Sequence, residues 1–416
     1  MLLSEGSSLT ARQTITALGL RGYKIDVCDA DPFCIGRFSR FVHRFYRCPA
    51  WADYPEDYLE FIRNRLEHGR YDVLLPVHDQ AFLFAAAKDQ LEPLAGIALT
   101  EFAHYAMLQS KADFARFMER LDLPHPPTWL IRNQSQLEAL NDFPYYIKAP
   151  YSTAGIGVWR IGNAADRAEA LSALQKQGLL LGGTDIVVQK VAAGVLSQAQ
   201  AVFEQGRLIA VHCTSQQAEG MGGSQSARLS VDHPIVRTHL ETLGRYLGWH
   251  GALALDYLFD PATGQPAYIE ANPRLVEPMN GVISGVNLAD ILVRLSMGES
   301  FSQAPLRMGR FGIRSHSLAA TLLGIAGRGG SRLQLLKEAA KAVFKRGIYQ
   351  NSREDLTPIT KDWQSVIPLK FIGLQLLINP GRARQIADHA VSAYALKQET
   401  VEKICRFLDL PPAPFE

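Results

Sequence analysis

The run AYIEANPRL at residues 267–275 sets Glu270, Asn272 and Arg274 at alternate positions of an otherwise apolar segment. A strand has a side-chain period of two, so these three polar groups share one face. The turn DPATGQP joins the run to a preceding apolar segment, ALALDYLF, and reflection about Thr263 puts Asp256 opposite Glu270. Two carboxylates facing each other across a strand pair repel. Half-burying them is unfavourable unless a cation compensates. Asn272 adds a neutral oxygen, and an all-oxygen set with few protein ligands suits Mg2+, or Mn2+, shared with phosphate oxygens. Arg274, one step further on, is placed to grip a phosphoryl or carboxylate group at two points. A solvated edge hairpin accounts poorly for these polar groups among the apolar neighbours Leu255, Tyr257, Ile269 and Leu275.

Lysines upstream suit the same chemistry. YYIK ends in Lys148, immediately before a loop that contains Ser152, Gly155 and Gly157. A lysine there can reach phosphates covered by the loop backbone. The loop lies between two strand-like runs, which makes a hairpin rather than a strand-to-helix phosphate loop. Lys111 follows Ser110, a helix-capping residue. In VVQKVAAG, Gln189 and Lys190 interrupt an apolar strand whose backbone can face an adenine edge. Arg228, in GGSQSARLS, is a candidate for holding a substrate carboxylate, with plain solvation as the alternative. His212 and Cys213 at a strand end read as a packed pair rather than a catalytic dyad.

These side chains need elements to carry them. Residues 1–100 alternate strand-like and helical runs, the pattern of a parallel, doubly wound sheet. The first turn, SEGSSLT, is not the spaced-glycine dinucleotide fingerprint, so a nicotinamide cofactor is not indicated. A helix follows Ser110 and stops at Pro124, with Phe114, Phe117, Met118 and Leu121 as its apolar stripe. Further on, helices are expected at 164–177 and 235–247, strands at 185–194 and 198–213, and a polar, glycine-rich loop at 214–235. Beyond Pro305 the chain reads as mostly helical.

Composition sets the outer limits. The 416 residues are 47% hydrophobic and 20% charged, an ordinary globular balance spread over two or three domains. A net charge of +2 gives no reason to invoke nucleic acid. The charge is uneven, however: residues 305–416 hold 17 Lys and Arg against 9 Asp and Glu, while the rest is acidic. That basic region is open to three readings: a packed helical domain, a dimer surface, or a peripheral membrane contact through IPLKFIGLQLLINP. Five cysteines without paired spacing, and an N-terminus MLLSEGSS unlike a signal peptide, suggest a reducing, cytoplasmic setting.

Taken in order, the helix-borne lysine, YYIKAP with its glycine loop, VVQKV and IEANPR resemble the ATP-grasp superfamily, its carboxylate–amine ligase and biotin-carboxylase-like branch. YIEANPR is the most specific element. The resemblance implies an α/β and α+β architecture: a parallel-sheet pre-ATP-grasp domain over 1–100, a two-subdomain ATP-grasp fold over 101–304 with its lid at about 145–200, and a helical C-terminal region over 305–416. It implies that Lys111, Lys148 and the loop of Ser152, Gly155 and Gly157 contact ATP phosphates. Gln189, Lys190 and Ala192 would line the adenine, and Asp256, Glu270 and Asn272 would bind magnesium. Arg274, Lys148 and Arg228 would serve catalysis, with the loops at 151–157 and 214–228 as lids. The implied activity joins a small-molecule carboxylate to an amine, or to a thiol, through an acyl phosphate, releasing ADP and phosphate. Two departures stand out. The ribose-binding glutamate of the family is absent, with Leu196 near its place, and the first metal ligand is Asp256 where many relatives carry glutamate. Bicarbonate activation is the alternative within the fold, although only VEP is reminiscent of biotin-dependent relatives after Arg274. A nucleotide-binding protein without turnover is the alternative outside it.

Overall fold

The structure, a computed structural model, describes residues 1–153, 155–180, 184–392 and 394–410. Residue 154 of the glycine loop, 181–183 of the expected lid span, and 393 and 411–416 of the C-terminal region lie outside the described residues.

β1 (Leu2–Leu3), α1 (Leu9–Gly19), β2 (Ile25–Asp29), β3 (Val42–Arg47), α2 (Pro55–Gly69) and β4 (Leu74–Leu75) build an all-parallel sheet in the order β3-β2-β1-β4. Strand order reverses between β1 and β4, which opens a crevice at the carboxyl ends of the strands. β3 is not evident in the sequence. It is a charged, half-exposed edge strand, VHRFYR, and so lacks the apolar run of the inner strands.

α3 (Gln80–Ala86), α4 (Lys88–Leu91) and α5 (Phe102–Gln109) lead into α6 (Lys111–Arg120). Ser110 caps α6 by accepting from the Asp113 amide at 3.3 Å. β5 (Thr128–Ile131), α7 (Gln134–Glu138), β6 (Tyr145–Lys148), β7 (Val158–Ile161), α8 (Ala164–Lys176) and β8 (Ile186–Lys190) then form an antiparallel sheet, β5-β8-β6-β7. This unit has an apolar cluster of its own, with Ile147, Ile161, Leu174 and Val188 at its centre.

Among the described residues the largest sheet has eight strands. β9 (Val195–Glu204), β10 (Arg207–Glu219), β11 (Gln225–Val231), α9 (Pro234–Leu247), β12 (Gly251–Asp260) and β13 (Gln265–Asn272) supply most of it, in the order β13-β12-β9-β10-β11. The expected single strand at 198–213 is therefore two strands, parted by a tight turn at Gln205 and Gly206, both with positive φ. The expected loop at 214–235 is also corrected. Most of it extends β10 and forms β11, and only Met221–Gly223 is a turn. Polar residues occupy these strands because this stretch of one face of the sheet is polar, as the site below shows.

After α10 (Met279–Ser284) and α11 (Leu288–Ser296), β14 (Arg307–Met308) pairs with β10 and β15 (Arg314–His316) with β11. α12 (Leu318–Gly327), α13 (Arg332–Val343), β16 (Ser352–Glu354), α14 (Val366–Ile378), α15 (Ala383–Ser392) and α16 (Gln398–Phe407) complete the chain, with β16 beside β15. The mostly helical C-terminal region thus also extends the central sheet. One contiguous apolar cluster includes Leu2, Tyr58, Phe84, Phe203, Leu255 and Ile404, so the parallel sheet, the central sheet and α16 share a core.

A buried ion pair fastens the C-terminal region to α1. Arg12 donates to Asp362 at 2.5 Å, and both side chains are almost fully enclosed. Asp362 also accepts from the Arg40 amide at 3.0 Å. Removing one member of a buried pair strands the other charge and costs roughly 3–5 kcal/mol. Asp362→Ala should lower the urea unfolding free energy by about that much, and Arg12→Met with Asp362→Leu should recover only part of it, because the Arg40 amide still lacks its acceptor.

Candidate functional site

β12 and β13 pair with Asp256 opposite Glu270 and Ala254 opposite Asn272. The register slips by one residue between Asp256 and Tyr257, a β-bulge at Ile269. The bulge leaves Asp256 and Glu270 on one face, while Leu253, Leu255, Tyr257 and Tyr268 pack into the shared core on the other. β9 continues the face: Gln198 lies beside Asp256 and donates to its Oδ1 at 2.7 Å. Asn272 donates through Nδ2 to Asp256 Oδ2 at 3.0 Å.

Two lysines from other elements converge here. Lys111, at the first position of α6, donates to Glu270 Oε1 at 2.7 Å and to the Ser152 carbonyl at 2.9 Å. Lys148 ends β6 and donates to Gln189 Oε1 at 2.8 Å and to the Ile269 carbonyl at 3.0 Å. The bulge residue thus presents its carbonyl to the lysine of the smaller sheet. Gln189 donates in turn to Thr128 Oγ1 at 3.0 Å. Lys190, on the opposite face of β8, pairs with Asp142 at 2.7 Å, and Ala192 lies in the half-exposed connection from β8 to β9.

Arg274 is buried. Its Nη2 donates to Asn272 Oδ1 at 3.1 Å and its Nε to Asp79 Oδ1 at 2.9 Å. Asp79 is the residue that sequence reasoning missed. It is fully enclosed at the crevice of the parallel sheet and also accepts from Thr153 Oγ1 at 2.7 Å and from the Leu396 amide at 3.1 Å. One carboxylate thereby joins the glycine loop, the carboxylate hairpin and the C-terminal region. The only signal in the sequence is a polar pair, His78 and Asp79, after the apolar strand LLPV at a switch point. Gln198 was missed as well, because its neighbour on β12 is distant in sequence.

The glycine loop makes a tight hairpin. Gly155 and Gly157 both have φ +79°, and the Ala149 amide donates to the Gly157 carbonyl at 2.8 Å. A Cβ on Gly155 would sit 3.2 Å from the Gly222 carbonyl oxygen, so the two expected lid loops meet at their tips.

Arg228 stands apart from this cluster. It shares the polar face of the central sheet, but three strand spacings and one strand repeat separate it from Asp256, roughly 15 Å. It is not solvated: its guanidinium is buried and pairs with Glu277 at 2.8 Å and Asp355 at 3.4 Å. His212 is buried in the same sheet and contacts Asn280 at 2.6 Å, while Cys213 points to the other face, so the two are packed apart.

Burial shifts Asp256 of the hairpin and its lysine, Lys148. Burial, and then the nearby Glu270, raise the Asp256 pKa to about 6. Burial lowers the Lys148 pKa to about 8, against the pull of Glu270 and with a further push from Lys111. Burial alone would raise the Asp79 pKa, yet His78 and Arg274 hold it well below the ordinary carboxylate range. His78, itself lowered to about 4 by burial, is neutral near pH 7, so Arg274 is the lasting counter-charge.

The donor set fits a divalent cation. Asp256 keeps its proton up to about pH 6 because it is buried and a second carboxylate faces it, which is a repulsion that a cation between them removes. Among the described residues no group of three or more His, Cys, Asp or Glu side chains forms a metal cluster. An ion here would therefore rest on Asp256, Glu270, the Asn272 amide and non-protein oxygens, as Mg2+ permits.

This architecture is the ATP-grasp fold. The chain is similar to the biotin carboxylase domain of a Hydrogenobacter thermophilus 2-oxoglutarate carboxylase, solved as a dimer with MgADP and bicarbonate, at 16% identity over 75% of this chain and 72% of that one, with a TM-score of 0.59. An L-amino acid ligase from Bacillus licheniformis matches at 16% identity, over 71% and 73% of the two chains, with a TM-score of 0.55. Staphylococcus aureus N5-carboxyaminoimidazole synthetase in complex with ADP matches at 13% identity, over 75% and 79%, with a TM-score of 0.56. In sequence, the arginine-specific carbamoyl phosphate synthase large chain of Geobacillus stearothermophilus is 24% identical over 307 residues, 69% of this chain. The match spans only 27% of that relative, and 8% of a Schizosaccharomyces pombe acetyl-CoA carboxylase that is 26% identical over 174 residues. No protein-family model matches the chain.

Asp256→Asn removes a buried charge that faces another, at the loss of one acceptor. It should stabilise the ligand-free protein at pH 8 by about 1–2 kcal/mol. Because the folded pKa of Asp256 lies above its unfolded value, the penalty is present above about 6 and fades as pH falls toward 4. The gap between variant and native chain, followed by chemical denaturation across that range, should close accordingly.

Proposed function

We propose that the protein is an ATP-dependent carboxylate–amine ligase that proceeds through an acyl phosphate and releases ADP and phosphate. The observation that carries this reading is the opposed pair Asp256 and Glu270 with Lys111, Lys148 and Arg274 gathered against it. That constellation suits a polyphosphate chain and a transferring phosphoryl group. The named relatives handle ADP, bicarbonate or amino acids, and the fold they share makes the same chemistry the leading assignment.

The substrate carboxylate oxygen attacks the γ-phosphorus; a new O–P bond forms as the bond to ADP breaks. The amine then attacks the acyl carbon, phosphate leaves, and the amine loses a proton. A divalent cation held by Asp256, Glu270 and Asn272 would supply positive charge to the phosphate oxygens. Lys148 and Lys111 neutralise the approach of two anions, and Arg274, oriented by Asp79 and Asn272, faces the phosphoryl group. The β5–β8 sheet, with its own core, serves as the lid, and the meeting of the 151–157 loop with the turn at Gly222 shields the acyl phosphate from water. Gln189, Lys190 and Ala192, at the junction of lid and central sheet, take the adenine. Arg228, Glu277 and His212 lie further along the polar face, where Arg228 is available to the substrate carboxylate or holds the floor of its pocket. A cytoplasmic setting agrees with five buried, unpaired cysteines, and a homodimer agrees with the dimeric relative.

Two measurements test the assignment. A heavy-oxygen label placed in the substrate carboxylate should appear in released phosphate, and Glu270→Gln or Lys148→Met should slow turnover by about 100- to 1,000-fold. Phosphate release stimulated by bicarbonate alone would instead favour a carboxylase, and the absence of any substrate-dependent release would leave only nucleotide binding. In kcat/KM, activity should rise through a pH of about 6 as Asp256 loses its proton and fall through about 8 as Lys148 does. Raising the Mg2+ concentration should move the acid limb to lower pH, and Lys148→Arg, which stays charged, should move the alkaline limb upward.

A further inference from the structure

The C-terminal helices carry a surface that ligation does not use. α13 and α14 share one small core through Leu335, Ile372 and Leu376 and turn several other apolar side chains outward. On α13, Leu333, Leu336, Val343 and Phe344 recur at helical spacing and are exposed. On α14, Phe371, Leu374 and Ile378 do the same. Val343, Phe344, Phe371 and Ile378 are 75, 70, 64 and 63% exposed, which is far from the isolated surface apolar residue of an ordinary monomer. Arg332 donates to the Ile378 carbonyl and so ties the start of α13 to the end of α14.

Charge decides what covers this surface. Lys337, Lys341 and Lys345 recur every fourth residue beside the α13 stripe, and Lys370 is the one charged residue of α14. The single carboxylate on the two helices, Glu338, is largely enclosed and paired with Lys341 at 2.8 Å. A two-fold contact between copies would set lysine against lysine with no carboxylate to answer. Nucleic acid answers the charge and can stack on phenylalanine, but it offers no apolar phase for the exposed aliphatic Leu333, Leu336, Val343, Leu374 and Ile378. An anionic bilayer answers both: headgroups meet the lysines, and the acyl boundary accepts the apolar side chains. Among the described residues no helix is long and apolar enough to cross a membrane, so the contact is parallel to the bilayer plane.

We propose that α13 and α14 dock the protein on an anionic phospholipid surface. Phe344 and Phe371 are the apolar anchors, and Lys337, Lys341 and Lys345 are the headgroup contacts. The lipid-facing side chains lie outside the ligation site, so docking stands or falls independently of the proposed chemistry.

The test is flotation of the full chain with phosphatidylglycerol vesicles and with pure phosphatidylcholine vesicles. Binding is expected to phosphatidylglycerol only, and to weaken with added salt. Phe344→Asp with Phe371→Asp should lower the partition coefficient more than tenfold, and each of Lys337→Glu, Lys341→Glu and Lys345→Glu at least about fivefold. Because these side chains are exposed, unfolding midpoints should match the native chain, which separates lost docking from lost folding. Failure of phosphatidylglycerol vesicles to float the native chain overturns the proposal. So does flotation unaffected by either set of substitutions. A dimer in sedimentation that Phe371→Asp dissolves, with no flotation, would assign the surface to a second copy instead.

Discussion

Asp256 and Glu270 face each other across two hydrogen-bonded strands, and neither can withdraw. Their positions follow from the register of β12 and β13, and that register is locked by the tyrosines and leucines packed behind it. The ligand-free protein answers the repulsion in three ways. Lys111 balances Glu270, Gln198 and Asn272 donate to Asp256, and Asp256 holds a proton at an unusually high pH. Each is a partial substitute for a cation. The site is therefore poised: the same interaction that weakens the ligand-free fold would strengthen the hold on a divalent ion and its phosphates.

That poise depends on three separate parts of the chain arriving together. Lys148 comes from a sheet with a core of its own, and Arg274 from the hairpin itself. Asp79, from the crevice of the parallel sheet, orients Arg274 and holds the glycine loop through Thr153. Thr153 and Arg274 lean on one enclosed carboxylate, so two short contacts connect the glycine loop to the arginine. The C-terminal region enters the same junction through the Leu396 amide and is anchored by Arg12 and Asp362. A membrane-docked α13 and α14 would hold that region in a fixed relation to the lipid surface.

Much of the site is legible in the order of the residues alone. Alternation places Glu270, Asn272 and Arg274 on one face, and the turn length puts Asp256 opposite Glu270. That pairing is present in the fold even though a bulge at Ile269 shifts the outer part of the hairpin by one residue. The cap at Ser110, the hairpin around Gly155 and Gly157, and the helices near 164 and 235 follow from local spacing. The polar strands at 214–231 do not, because a strand whose exposed face belongs to a site looks like a loop to a rule that expects apolar alternation. β3 escapes for a related reason, as a charged edge strand.

The sequence by itself determined the local geometry: which side chains alternate, where helices begin, and that two carboxylates must be near neighbours, since period and turn length act over a few residues. Only the tertiary structure decided that Asp79 supports Arg274, that Arg228 is enclosed by Glu277 and Asp355 rather than solvated, and that α13 and α14 leave apolar stripes uncovered. The first two of those relations join residues 49 to 195 positions apart, and all three arise from how elements distant in the chain pack, which no local pattern of spacing encodes.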